Sequence, residues 1–172
     1  MAKLPTPSWR QLFTQPVHMF AFGFGTGLAP KAPGTAGTLV GIPFALALMP
    51  FGALPYLIAT ALLFIVGVWI CGRSSELLGV HDHGGIVWDE IVGYLVTFAP
   101  FVLWPAEAGW DKLPLIGWLA VAFLWFRVFD VLKPWPIKLL DRHVGGGFGI
   151  MVDDLLAGIF AAAVFMLPVL MA

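Results

Sequence analysis

Of the 172 residues, 60% are hydrophobic and 11% are charged, with a mean hydropathy of +0.93. A soluble domain carries about a quarter of its residues as charges, so this composition excludes a water-soluble globule and makes lipid the solvent. The net charge of −1 comes with no basic tract of the kind that grips nucleic acid, and a single cysteine, Cys71, excludes an intrachain disulfide or a cysteine zinc cluster.

The length fits one domain, residues 1–172, with no internal repeat. Residues 1–30 lack the compact apolar run and small-residue cleavage site of a signal peptide. Ser8 to Phe24 mix Trp, Phe and Leu with polar residues and Pro16, the pattern of an interfacial segment or a flexible tail. Beyond them, five apolar segments approach the roughly 20 residues that span a bilayer as a helix. They run from about Thr35 to Met49, Ala53 to Gly72, Ile86 to Leu103, Leu113 to Leu132, and Ile150 to Met171. The expected fold is therefore all-α, a polytopic bundle of about five membrane-embedded helices. The first and last segments are the weakest as strict spans.

Alternation then fixes which ends meet. Asp89 and Glu90 open the third segment, Asp130 closes the fourth, and Asp153 and Asp154 open the fifth. If all five segments cross, these five carboxylates emerge on one face. The polar loops 73–85 and 133–149 emerge there too. Of nine Lys and Arg residues, Lys112 alone falls on the other side. Cytoplasmic loops are enriched in Lys and Arg, so the carboxylate face should be cytoplasmic. Trp104, Trp110 and Trp118 near the opposite boundary suit an aromatic belt.

Carboxylates gathered in one patch repel each other unless cations neutralise them. Arg127, Lys133 and Arg142 supply three positive charges against five negative ones. Protonation or divalent cations must supply the rest. A carboxylate set without matching Cys and His suits Mg²⁺, which prefers oxygen ligands and shares its shell with water and phosphate. Asp89 and Glu90, like Asp153 and Asp154, point about 100° apart on a helix. One of each pair would ligate, and its neighbour would bind a second ion, orient a ligand, or cap the helix. Acidic residues in a first turn also complement the helix dipole. Asp130 does not, because it lies near a helix C-terminus; its plainer reading is a surface pair with Arg127 or Lys133.

Pro33-Gly34-Thr35-Ala36-Gly37-Thr38 opens the first segment on the same face. Glycines at a helix start let backbone N–H groups approach an anion, with Thr35 and Thr38 adding hydroxyl donors. Gly37 and Gly41 equally form a small-xxx-small packing pair. His81 and His83, in the loop before Asp89, offer a proton for a leaving alkoxide or simply belong to a solvated turn. A cation transporter or a structural membrane subunit is the rival reading. It is weakened by charges that gather at one face while the second and fifth segments keep apolar middles.

Four blocks together resemble the phosphatidylglycerophosphatase A family. They are Ala32 to Thr38, His81 to Gly93, Phe126 to Pro136, and Gly146 to Gly158, in the family's order and covering most of the chain beyond residue 30. The resemblance implies a Mg²⁺-dependent lipid phosphatase of the bacterial inner membrane, with its site facing the cytoplasm. Its substrate would be phosphatidylglycerophosphate, a lipid held in the bilayer, and its products phosphatidylglycerol and phosphate. On that reading Asp89, Glu90, Asp130, Asp153 and Asp154 are candidate metal ligands, and Arg127, Lys133, Arg142, Thr35 and Thr38 candidate phosphate contacts. Asp130, Asp89, His81 and His83 are the candidate catalytic groups.

Overall fold

A computed structural model of the chain describes residues 6–80, 83–105 and 109–171; at 141–143 it describes the backbone only. The described residues are helical, with no strand among them. Two short helices, α1 (Trp9–Thr14) and α2 (Pro16–Ala21), precede the bundle helices α3 (Pro33–Leu48), α4 (Ala53–Leu78), α5 (Trp88–Leu103) and α6 (Leu115–Leu132). There follow α7 (Ile137–His143), α8 (Gly146–Phe165) and α9 (Leu167–Leu170).

The spans Pro33–Phe51, Ala53–Leu78, Leu115–Leu132 and Gly146–Leu170 are long and apolar enough to cross a membrane. Four helices meet that length, and the bundle was expected to hold about five membrane-embedded helices. The difference is α5, whose 16 residues rise about 24 Å, short of the ~30 Å hydrocarbon core. It sits in the middle, against α3, α4, α6 and α8, and none of its residues is exposed. Composition cannot separate a helix buried in protein from one buried in lipid, since both are apolar all round.

Two boundaries also move. α4 continues past Gly72 to Leu78, where Gly79 in the left-handed region (φ 67°) caps it. α8 begins at Gly146, so Asp153 and Asp154 lie beyond its first turn. The glycines that read as a loop are there because helices approach closely. A Cβ on Gly147 would strike the Val68 carbonyl of α4, and one on Gly158 would lie 2.6 Å from the Gly93 carbonyl of α5. Small residues at such crossings are how membrane helices gain packing.

The segment before residue 30, expected to be interfacial or flexible, is folded over its described part. Ser8 caps α1 in a reciprocal box with Gln11. Leu12, Ala21 and Phe22 are buried in one cluster with Trp88 and Ile91. The Val87 amide donates to the Ala21 carbonyl at 2.8 Å, which ties this segment to the loop before α5. His18 is buried as well, its Nδ1 2.8 Å from Ser74 Oγ, and burial lowers its proton affinity.

At the far end of the bundle the expected aromatic belt is only partly present. Trp104 is exposed, but Trp110 and Trp118 are buried against Phe165. Their indole donors are satisfied internally, by the Trp104 carbonyl at 2.8 Å and the Trp110 carbonyl at 2.7 Å. A tryptophan with its N–H bonded inside has no need of the interface.

Candidate active site

Helix directions bring the acidic residues to one end, as alternation requires. Asp89 and Glu90 occupy the first turn of α5, where the dipole favours negative charge. Asp130 lies in the last turn of α6, and Asp153 and Asp154 project from α8. All five line one cavity of about 180 Å³ together with Lys133, Gly84, Ile86, Val144, Gly149 and Ile150. At roughly 30 Å³ per water, that is room for a phosphoryl group and a few waters.

Within the cavity the carboxylates divide into two sets. One ligand oxygen each from Asp89, Glu90 and Asp154 lies within 4.8 Å of the others. Glu90 Oε2 and Asp154 Oδ2 are buried without a hydrogen-bond partner among the described residues. Leaving charged oxygens so is costly, and a hard cation is the group that would satisfy both at once. The donor set fits magnesium: all oxygen, with an open cavity left for water and phosphate.

The second set is already matched with basic side chains. Lys133 Nζ donates to Asp153 Oδ2 at 2.5 Å, and Arg127 Nη1 is paired with Asp130 Oδ2. Asp153, expected to share ligand duty with Asp154, is thus engaged by a lysine in this structure. Lys133 reaches it from the C-cap of α6, in a left-handed conformation (φ 41°) that disfavours a non-glycine residue. Asp130 has both readings at once. It makes the expected pair with Arg127, and it also lines the cavity with Asp154.

The remaining candidates stand further back. Arg127 does not line the cavity; its Nη1 lies behind Asp130 and 3.5 Å from Thr38 Oγ1. Thr38 is fully buried and donates to the Gly34 carbonyl at 2.9 Å, and half-buried Thr35 is also absent from the lining. His81 and the side chain of Arg142 lie outside the described residues. His83 is not in the cavity. It is buried, its Nδ1 accepts from the Gly85 amide at 3.0 Å, and its Nε2 is 3.3 Å from Thr6 Oγ1. That geometry holds the loop before α5 rather than presenting a proton to a substrate. His83→Asn keeps an acceptor for the Gly85 amide but cannot shuttle a proton. We therefore expect it to lose less than tenfold in kcat, whereas a general acid would cost about 10²- to 10⁴-fold; a pH–rate profile checks this.

Sequence reasoning did not single out the cavity wall of Gly84, Val144 and Gly149. Its only signal was the glycine content of the loops flanking the acidic residues. Nor did it anticipate the Lys133–Asp153 pair, which depends on how the α6–α7 turn folds back on α8.

The family described as Phosphatidylglycerophosphatase A matches residues 19–169. A phosphatidylglycerophosphatase A of Haemophilus influenzae is 43% identical over 150 residues, covering 87% of this chain and 86% of that protein. One of Escherichia coli is 40% identical over 157 residues, covering 90% and 84%. A third relative, from Bacteroides thetaiotaomicron, carries a provisional name as a phosphatidylinositol-3-phosphatase and is 34% identical over 144 residues, covering 81% and 84%. No solved structure matches the chain significantly.

Proposed function

Since the chain belongs to the phosphatidylglycerophosphatase A family, we propose that it removes the terminal phosphate of phosphatidylglycerophosphate in a magnesium-dependent reaction. Its class, a phosphoric monoester hydrolase of a bacterial membrane, follows from that membership. The observation that carries the finer reading is the cluster of Asp89, Glu90 and Asp154 in a cavity that also holds Lys133. It stands at one end of four membrane-length helices. A phosphomonoester on a lipid headgroup reaches that level while its acyl chains stay in hydrocarbon. The excess of Lys and Arg on the same side supports a cytoplasmic orientation in the inner membrane.

Asp89, Glu90 and Asp154 would hold the metal. Bound there, magnesium supplies a Lewis acid for the phosphate oxygens and lowers the pKa of an attacking water. Lys133, held by Asp153 at the cavity wall, would contact the phosphate. Arg127 anchors Asp130 from behind the cavity wall. Asp130 faces the cavity and takes the proton of the incoming water, in a direct attack on phosphorus. The leaving glycerol oxygen is protonated from Lys133 or from solvent. Asp153 holds the Lys133 ammonium against the cavity wall.

The test is phosphate release by the purified protein in detergent. Turnover of phosphatidylglycerophosphate should vanish with EDTA and return with Mg²⁺. The same assay on phosphatidylinositol 3-phosphate asks whether the third relative's named substrate is shared. Faster release from that lipid would overturn the substrate assignment, and EDTA-resistant release would overturn the metal.

A further inference from the structure

The first turn of α3 contributes nothing to the cavity wall, yet it touches Glu90 within that wall and Arg127 behind it. Gly34 sits in that turn with ordinary helical backbone, so no left-handed conformation explains a glycine there. Alanine would be preferred on helix propensity alone. What excludes it is space: a Cβ at Gly34 would run into Glu90 Oε1, and would lie 3.3 Å from Arg127 Nη1. The Glu90 carboxylate thus lies directly on the α3 backbone. One turn further along, the buried Thr38 hydroxyl donates to the Gly34 carbonyl at 2.9 Å and turns its lone pairs to Arg127 Nη1, 3.5 Å away. Arg127 in turn holds Asp130.

We propose that Gly34 and Thr38 are positioning residues. Gly34 sets where Glu90 stands relative to Asp89 and Asp154, and Thr38 fixes the position of the Arg127 Nη1 that pairs with Asp130. Neither touches substrate. α3 acts as a fixed rail on which the cation-binding group and the anchored arginine are registered one helical turn apart. Partners that orient a metal ligand typically alter affinity by about 10- to 100-fold when lost. This assignment rests on the reading of the cavity as a cation and phosphate site.

The experiment titrates the purified full chain with Mn²⁺ alone, followed by electron paramagnetic resonance, and separately measures steady-state phosphate release. Gly34→Ala should weaken Mn²⁺ binding by about 10- to 100-fold without lowering the cation-free unfolding temperature. In that background Glu90→Asp, one methylene shorter, should weaken binding no further. Thr38→Val should leave Mn²⁺ affinity as in the parent while kcat/KM falls about tenfold, and Thr38→Ser, which keeps the hydroxyl, should recover it. Wild-type Mn²⁺ affinity in Gly34→Ala would overturn the role of Gly34. Thr38→Ser as impaired as Thr38→Val, or Thr38→Val as active as the parent, would overturn that of Thr38. If the unsubstituted protein binds no Mn²⁺ and releases no phosphate, the parent reading fails instead.

Discussion

Asp154→Asn should reduce phosphate release by about 10³-fold or more, the scale seen when a core member of a catalytic set is removed. Asp154 Oδ2 is buried without a hydrogen-bond partner among the described residues, in the group with Asp89 and Glu90 that we propose holds the cation. The amide is isosteric and removes one negative charge from that group. The apo protein should therefore unfold at the same or a higher temperature even as it loses activity, the trade expected of a site built for function. Asp153→Asn provides the contrast. It disturbs the lysine pair rather than the trio, and should cost about 10- to 100-fold, as for an orienting partner. Steady-state kinetics and thermal unfolding on the two variants separate the readings. Equal losses at both positions would mean that Asp153 ligates as well.

The second large effect is expected at the Arg127–Asp130 pair. Arg127→Lys keeps the charge but replaces the planar guanidinium, whose Nη1 meets both Thr38 and Asp130, with an ammonium of different reach and geometry. We expect kcat/KM to fall about 10²- to 10³-fold, the range for losing one preorganised electrostatic group. Asp130→Asn should abolish magnesium-dependent release while the protein still inserts and purifies normally. The double variant should be no worse than Asp130→Asn, since residues acting as one unit are not additive. Additive losses would show that Arg127 meets the substrate independently of Asp130.

Much of this site was legible from residue order. Asp89, Glu90, Asp130 and Asp154 each stand near a boundary of an apolar run, and alternating the runs across a bilayer brings all four to one face. What alternation cannot give is contact. Nothing local says that Asp153 meets a lysine twenty positions away, because that depends on the reversal between Lys133 and Gly146. His83 looked like a proton donor because a histidine beside an acidic motif has the right chemistry, but the Gly85 amide it accepts from is a property of the folded turn. Trp110 and Trp118 read as belt residues by position; their indole N–H groups find carbonyls within the bundle instead. Gly147 read as loop because glycine disfavours helices, and the close approach of α4 reverses that preference, while Gly146 serves the turn into α8 with its left-handed backbone (φ 70°).

The enclosure of α5 has a consequence for how the protein tolerates different membranes. When a bilayer thins or thickens, a helix in contact with lipid answers by tilting or by dragging the bilayer with it. That response falls on the outer helices. The helix bearing Asp89 and Glu90 has no exposed residue through which acyl-chain length could act on it. Changes in hydrophobic thickness should therefore shift the envelope of the protein and leave the spacing of those two side chains in place.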